Sequence, residues 1–146
     1  MSKSDDDILA SEIGKAGALG GKIGGGQAGA LGGRLGGQWV AKLLPNDTYE
    51  ISNDVVAELT TVISTITNLL NNKGKLLGTQ ETSGIFEIKG LVGSGFFNMN
   101  PAILTIWIKQ ETQKKVQITI RGTAKEGLIK QHTAEKAVLM VAQYLE

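Results

Sequence analysis

The chain has no cysteine. That excludes disulfides, thiolate metal sites and a cysteine nucleophile together. It has one histidine, His132, too few for the paired imidazoles of a typical transition-metal site. An excess of one charge is missing as well. Fifteen Lys and Arg against 14 Asp and Glu leave a formal charge of +1 over 146 residues, without the basic stripe of a nucleic-acid binder. The opening residues, Met1 to Asp7, are acidic and lack an apolar core, which is neither a secretory signal nor an Arg-rich transit peptide. Residence in the cytoplasm is the expectation, with a membrane surface as a further place of action. Catalytic signatures are absent too: no GxxxxGK[ST] phosphate loop, no nucleophile elbow, no Ser-His-acid arrangement. Glu81 and Glu87 can meet across a hairpin, but nothing in the pattern buries them as a glycosidase-like dyad would require. They read as surface residues. No reaction, metal or cofactor is expected.

Glycine is present in quantity, and unevenly. Of 20 Gly, 12 lie between Gly14 and Gly37. Written in fours from Ala16, the segment reads AGAL, GGKI, GGGQ, AGAL, GGRL, GGQW. Its second column is Gly throughout: Gly17, Gly21, Gly25, Gly29, Gly33 and Gly37. Its fourth carries Leu19, Ile23, Leu31, Leu35 and Trp39, with one Gln. On a helix, residues four apart form a ridge, and a ridge of Gly and Ala lets two backbones approach closely, the small-xxx-small mode of helix association. At these residues the segment resembles the glycine zippers of membrane and pore-forming proteins. That resemblance implies self-packing or insertion. Lys15, Lys22, Arg34 and Lys42 would then lie near anionic headgroups, and Trp39 fits an interfacial anchor.

Each Gly costs about 0.8–1 kcal/mol relative to Ala inside a helix. A dozen therefore cost on the order of 10 kcal/mol, beyond what an isolated solvated helix offsets. The arm is expected to be helical only when packed on copies of itself, on the domain or in lipid. From Ala16 to Gly37 a helix would run roughly 33 Å, close to the hydrocarbon thickness. Lys22 and Arg34 interrupt it, each costing about 2.5–3.5 kcal/mol at mid-membrane, so an interfacial helix or a conditional, oligomeric insertion fits better. A flexible linker and a β-hairpin of the two ten-residue repeats remain alternatives. The lexical GxGxxG at Gly24, Gly26 and Gly29 has no preceding strand and is not a dinucleotide site.

Leu44-Pro45-Asn46-Asp47 breaks the pattern. The expected division is an acidic tail over 1–13, the arm over 14–44 and a small α+β domain over 45–146. In that domain Tyr49–Ile51 reads as a short strand, and Asn53 or Asp54 as a helix cap. Helical spacing then runs from Val55 to Leu70 and ends at Asn71-Asn72-Lys73-Gly74. Strand patterns follow over 75–80, 84–89, 103–109 and 116–121, with Leu104, Ile106 and Ile108 on one face and a turn at Glu111-Thr-Gln113. Thr123 with Glu126 has capping-box form, predicting a helix from there to about Leu145 with Ala134, Ala137, Val138 and Val141 on its core face. The order β-α-β-β-β-β-α implies an antiparallel sheet of four to five strands with two helices on one side. It is similar in order to small helix-grip and TATA-binding-protein-like domains, found in envelope lipoproteins and lipid-carrying proteins.

Two further candidate sites stand out. Phe96, Phe97 and Met99 lie in a Gly-rich apolar loop that could dock on a membrane or partner. Thr123, Lys125 and Lys130 surround the expected helix start, where backbone N–H groups could hold an anion. The leading functional expectation is a non-enzymatic protein that self-assembles or docks on membrane through the arm, while the domain binds a protein partner. The alternatives are an apolar-ligand-binding module with the arm as a tether, and a delivered pore-forming toxin.

Overall fold

The computed structural model describes residues 3–15, 18, 44–93, 100–126 and 131–146. Residues 5–15 form helix α1. The domain then runs β1 (Asn46–Val55), α2 (Leu59–Lys73), β2 (Gly74–Thr82), β3 (Ile85–Val92), β4 (Ala102–Thr112), β5 (Lys115–Lys125) and α3 (Thr133–Gln143). All neighbours are antiparallel in the order β1-β5-β4-β3-β2. The architecture is the expected α+β one, with the expected element order.

Alternation builds the sheet. On β4 and β5 the even-numbered residues face the helices, and Leu104, Ile106, Ile108, Val116, Ile118 and Ile120 are all buried. They form one core with Val62, Ile66, Leu69 and Leu70 of α2 and Ala134, Ala137, Val138 and Val141 of α3. Both helices therefore grip the same face. One row across the sheet shows how. Gly90, Leu104 and Gly122 stand side by side on β3, β4 and β5. A Cβ at Gly90 would lie 2.7 Å from Leu70 Cδ1, and one at Gly122 would lie 2.6 Å from the Ala134 carbonyl oxygen. Each glycine seats one helix, and Leu104 fills the seam between them.

The structure corrects several boundaries. β1 continues through Asn53 and Asp54, because every residue from Asn46 to Val55 has a partner on β5. The helix after it starts four residues later than Val55, with Glu58 in the N-cap position and no side-chain cap. β5 continues past Thr123 to Lys125, so the expected capping box does not form, and the last helix begins only at Thr133. The register places Glu81 opposite Phe86, and Glu87 opposite Gln80, so the two carboxylates do not meet. The acidic start is a helix and not a tail. Ser4 caps it, its Oγ accepting from the Asp7 amide at 3.2 Å, and Asp5, Asp6 and Asp7 in its first turn suit the helix dipole. Among the described residues no helix is long and apolar enough to cross a membrane.

Candidate functional site

The inner-face series of β4 reads Ala102, Leu104, Ile106, Ile108, and only its first member is small. Over Ala102, beside α3 and the end of α2, lies a cavity of about 250 Å³ lined by Val92, Ala102, Ala137 and Met140, together with Gly93, Asn100, Thr133 and the exposed Lys73 and Lys136. Small residues at three of these positions leave the volume that a Leu or Ile would fill. A wider groove of about 440 Å³ lies beside the end of α3 over Ile51, Val55, Ile118 and Ile120, rimmed by Asn53, Asp54 and Glu146. It opens along the edge strand β1.

The start of α3, which forms one wall of the seam cavity, is fixed by Glu126. Its buried carboxylate accepts from the amides of Gln131 and Thr133, both at 2.9 Å. Burial raises its pKa, but the two backbone bonds, a bond with the Thr133 side chain and the neighbouring His132 outweigh that and hold it below the usual carboxylate value. Glu126 thus caps the helix from upstream, in place of Thr123. Asn100 Nδ2 donates to Thr133 Oγ1 at 2.7 Å and to Gln131 Oε1 at 2.6 Å, tying the entry of β4 to the same corner. His132 is exposed, with φ of 55° and Nδ1 3.4 Å from Glu135 Oε2.

The outer face of the sheet is of another kind. Leu9 of α1 is fully buried against Leu91 and Ile103, with Ile8 and Leu77 around them. Leu77 reaches this face because the β2–β3 register shifts between Leu76 and Gly78, as a bulge allows. Two ion pairs flank the contact, Asp5 with Lys89 and Asp6 with Lys125. The Lys125 side chain is only 3% exposed, and its Nζ also donates to the Leu44 carbonyl at 3.2 Å. One ammonium therefore holds residues on both sides of the arm. Beyond α1 the face is a polar and aromatic ladder. Arg121 lies over Trp107, 5.1 Å from the ring centroid, and pairs with Glu50 at 2.6 Å. Trp107 Nε1 donates to Glu87 at 2.8 Å, and Gln80 donates to the same carboxylate at 3.1 Å.

Set beside the sequence candidates, the structure brings few of them together. The arm residues Gly17, Gly21, Gly25, Gly29, Gly33, Gly37, Leu19, Ile23, Leu31, Leu35, Trp39, Lys22, Arg34 and Lys42 lie outside the described residues. So do Phe96, Phe97 and Met99, and Lys130. Lys15 is exposed and paired with Glu12 at 2.6 Å. Thr123 and Lys125 lie on a strand and not at a helix start, and the anion that Lys125 meets is the chain's own Asp6. The cavity and the Trp107–Arg121 pair were not singled out by the sequence reading. Their signals were an Ala in the inner series of β4 and an aromatic and an Arg in outward phase.

No known family's sequence model matches this chain, and no curated protein does. Solved structures that it is similar to include an uncharacterized protein from Rhizobium leguminosarum (9% identity, 70% of this chain and 93% of that one, TM-score 0.39). Others are a norcoclaurine synthase from Thalictrum flavum (8% identity, 70% and 98%, TM-score 0.32) and the Zhui aromatase/cyclase from Streptomyces (10% identity, 68% and 88%, TM-score 0.30). Likeness at this level carries no activity over to this chain. The class rests on its own geometry: an α+β domain whose antiparallel sheet is gripped on one face by two helices.

Proposed function

We propose that the chain is a non-enzymatic binding module whose α+β domain takes a small apolar ligand in the seam cavity, with the Gly-rich arm as its tether. The observation that carries this is the cavity itself. Val92, Ala102, Ala137 and Met140 line about 250 Å³ on the sheet beside α3, just below the usual range of ligand sites. An apolar occupant would remove this apolar lining from water. A binder is favoured over a catalyst because neither a carboxylate nor a histidine is among the residues that line the cavity. Self-packing, membrane docking and pore formation by the arm all rest on residues outside those described, so the domain carries the proposal.

The test is a titration of the full chain with 1-octanol, followed by the methyl NMR signals of Val92, Ala137 and Met140. Saturable shifts confined to these methyls are expected. Met140→Trp, which fills the space from a half-buried position, removes the Val92 and Ala137 shifts while thermal unfolding stays within a few degrees. Shifts that never saturate, or that survive Met140→Trp, overturn the reading.

A further inference from the structure

We infer that the ligand is a single-chain anionic amphiphile, with its carboxylate held between Lys73 and Lys136 and its tail in the cavity. The inference rests on the reading of the seam as a ligand site and narrows it. Lys73 is the last residue of α2, and Lys136 lies in the first turn of α3. The two cations thus come from different helices to the lining of one largely apolar cavity. Both are exposed, and among the described residues neither has a carboxylate partner. Of the acids at this corner, Glu126 is committed to the Gln131 and Thr133 amides, and Glu135 lies 3.4 Å from His132. On the outer face, by contrast, Lys89 and Lys125 meet Asp5 and Asp6 of the chain itself.

The positions of the two lysines differ in one telling respect. A cation in the last turn of a helix, such as Lys73, is favoured by the helix dipole, whereas a cation in the first turn, such as Lys136, is disfavoured. Local structure therefore favours Lys73 and not Lys136. A bound carboxylate would pair with the Lys136 ammonium itself, since the start of α3 already holds Glu126. A cavity of about 250 Å³ suits one short hydrocarbon chain, and an eight-carbon chain serves as the probe.

The test compares octanoate, 1-octanol, octylamine and acetate on the full chain, again through the Val92, Ala137 and Met140 methyls. Octanoate is expected to bind roughly fivefold tighter than octanol at low salt, the effect of two exposed ion pairs, with octylamine weakest and acetate without effect on the methyls. The advantage of octanoate is expected to fall below about twofold in the Lys73→Gln/Lys136→Gln variant, and likewise at high salt. Octanol binding as well as octanoate overturns the inference and leaves the cavity reading standing. So does an octanoate preference that persists in the double variant, or acetate competing as well as octanoate. If none of the four moves the methyls, the cavity reading falls and the inference with it.

Discussion

The two faces of this sheet are held by different physics. The inner face carries hydrocarbon from three strands against two helices, in one continuous core. The outer face carries one short helix on a cluster of Leu9, Leu91 and Ile103, two ion pairs, and a solvated ladder through Trp107 and Arg121. Burial of apolar area drives folding at roughly 25 cal/mol per Å², while exposed pairs contribute a fraction of a kcal/mol each. The inner face should therefore decide whether the domain exists. The outer face should decide only what is attached to it.

The largest effect is expected on the inner face. Leu104 is fully buried between the seats of the two helices, so Leu104→Ala should cost about 2–5 kcal/mol. Urea unfolding should report this as a lower midpoint for the whole domain. On the outer face the corresponding change is Asp6→Ala, which strips the carboxylate from the nearly buried Lys125. Breaking a buried pair costs about 3–5 kcal/mol, but the Asp6 side chain is 41% exposed, so about 1–3 kcal/mol is the fair expectation once solvent screening is allowed for. More important is where the loss falls. Hydrogen exchange should show residues 5–15 unprotected while sheet amides keep their protection. Sheet amides that open together with α1 would erase the distinction between the faces.

Glu126 comes next. Its folded-state pKa is lowered, so the stability it contributes is fully present above the usual carboxylate range and is lost as pH falls through the folded value. Glu126→Gln should cost about 1–2 kcal/mol at neutral pH, the worth of two hydrogen bonds to a charged acceptor less what the amide retains. It should also flatten the fall of stability below about pH 5. Stability curves of the two proteins that stay parallel down to pH 2 would show that Glu126 does not carry that dependence.

This division also explains what could be read from the chain alone. Leu104, Ile106 and Ile108, and Val116, Ile118 and Ile120, repeat at period two, so the inner faces of β4 and β5 were legible. The helix faces of α2 and α3 followed from 3.6-residue spacing for the same reason. Other features depended on contacts distant in sequence. Thr123 and Glu126 mimic a capping box, which would put Lys125 in the first turn of a helix. Pairing along β1 keeps that stretch extended, and Asp6 meets Lys125 from 119 positions away. Leu9 was not legible as a core residue, because its partners Leu91 and Ile103 lie on strands far along the chain. The cavity is the absence of a side chain at Ala102, and period two registers an Ala and a Leu alike as apolar.

The smallest effect sharpens the comparison most. Arg121 stacks on Trp107 and pairs with Glu50, but its side chain is 48% exposed. A pair in that setting contributes about 0.2–1 kcal/mol, and the cation–π contact about 0.5–1 kcal/mol more. Arg121→Ala should therefore cost no more than about 1–2 kcal/mol, and less at high salt. Arg121→Lys should keep the charge and lose the stacking, falling between the two. The same urea series used for Leu104→Ala measures all three. If Arg121→Ala instead cost as much as Leu104→Ala, with no relief from salt, the ladder would have to be shielded from water in solution. Trp107 and Arg121 would then belong to a second covered face, and the asymmetry of the sheet would be only that of the residues described.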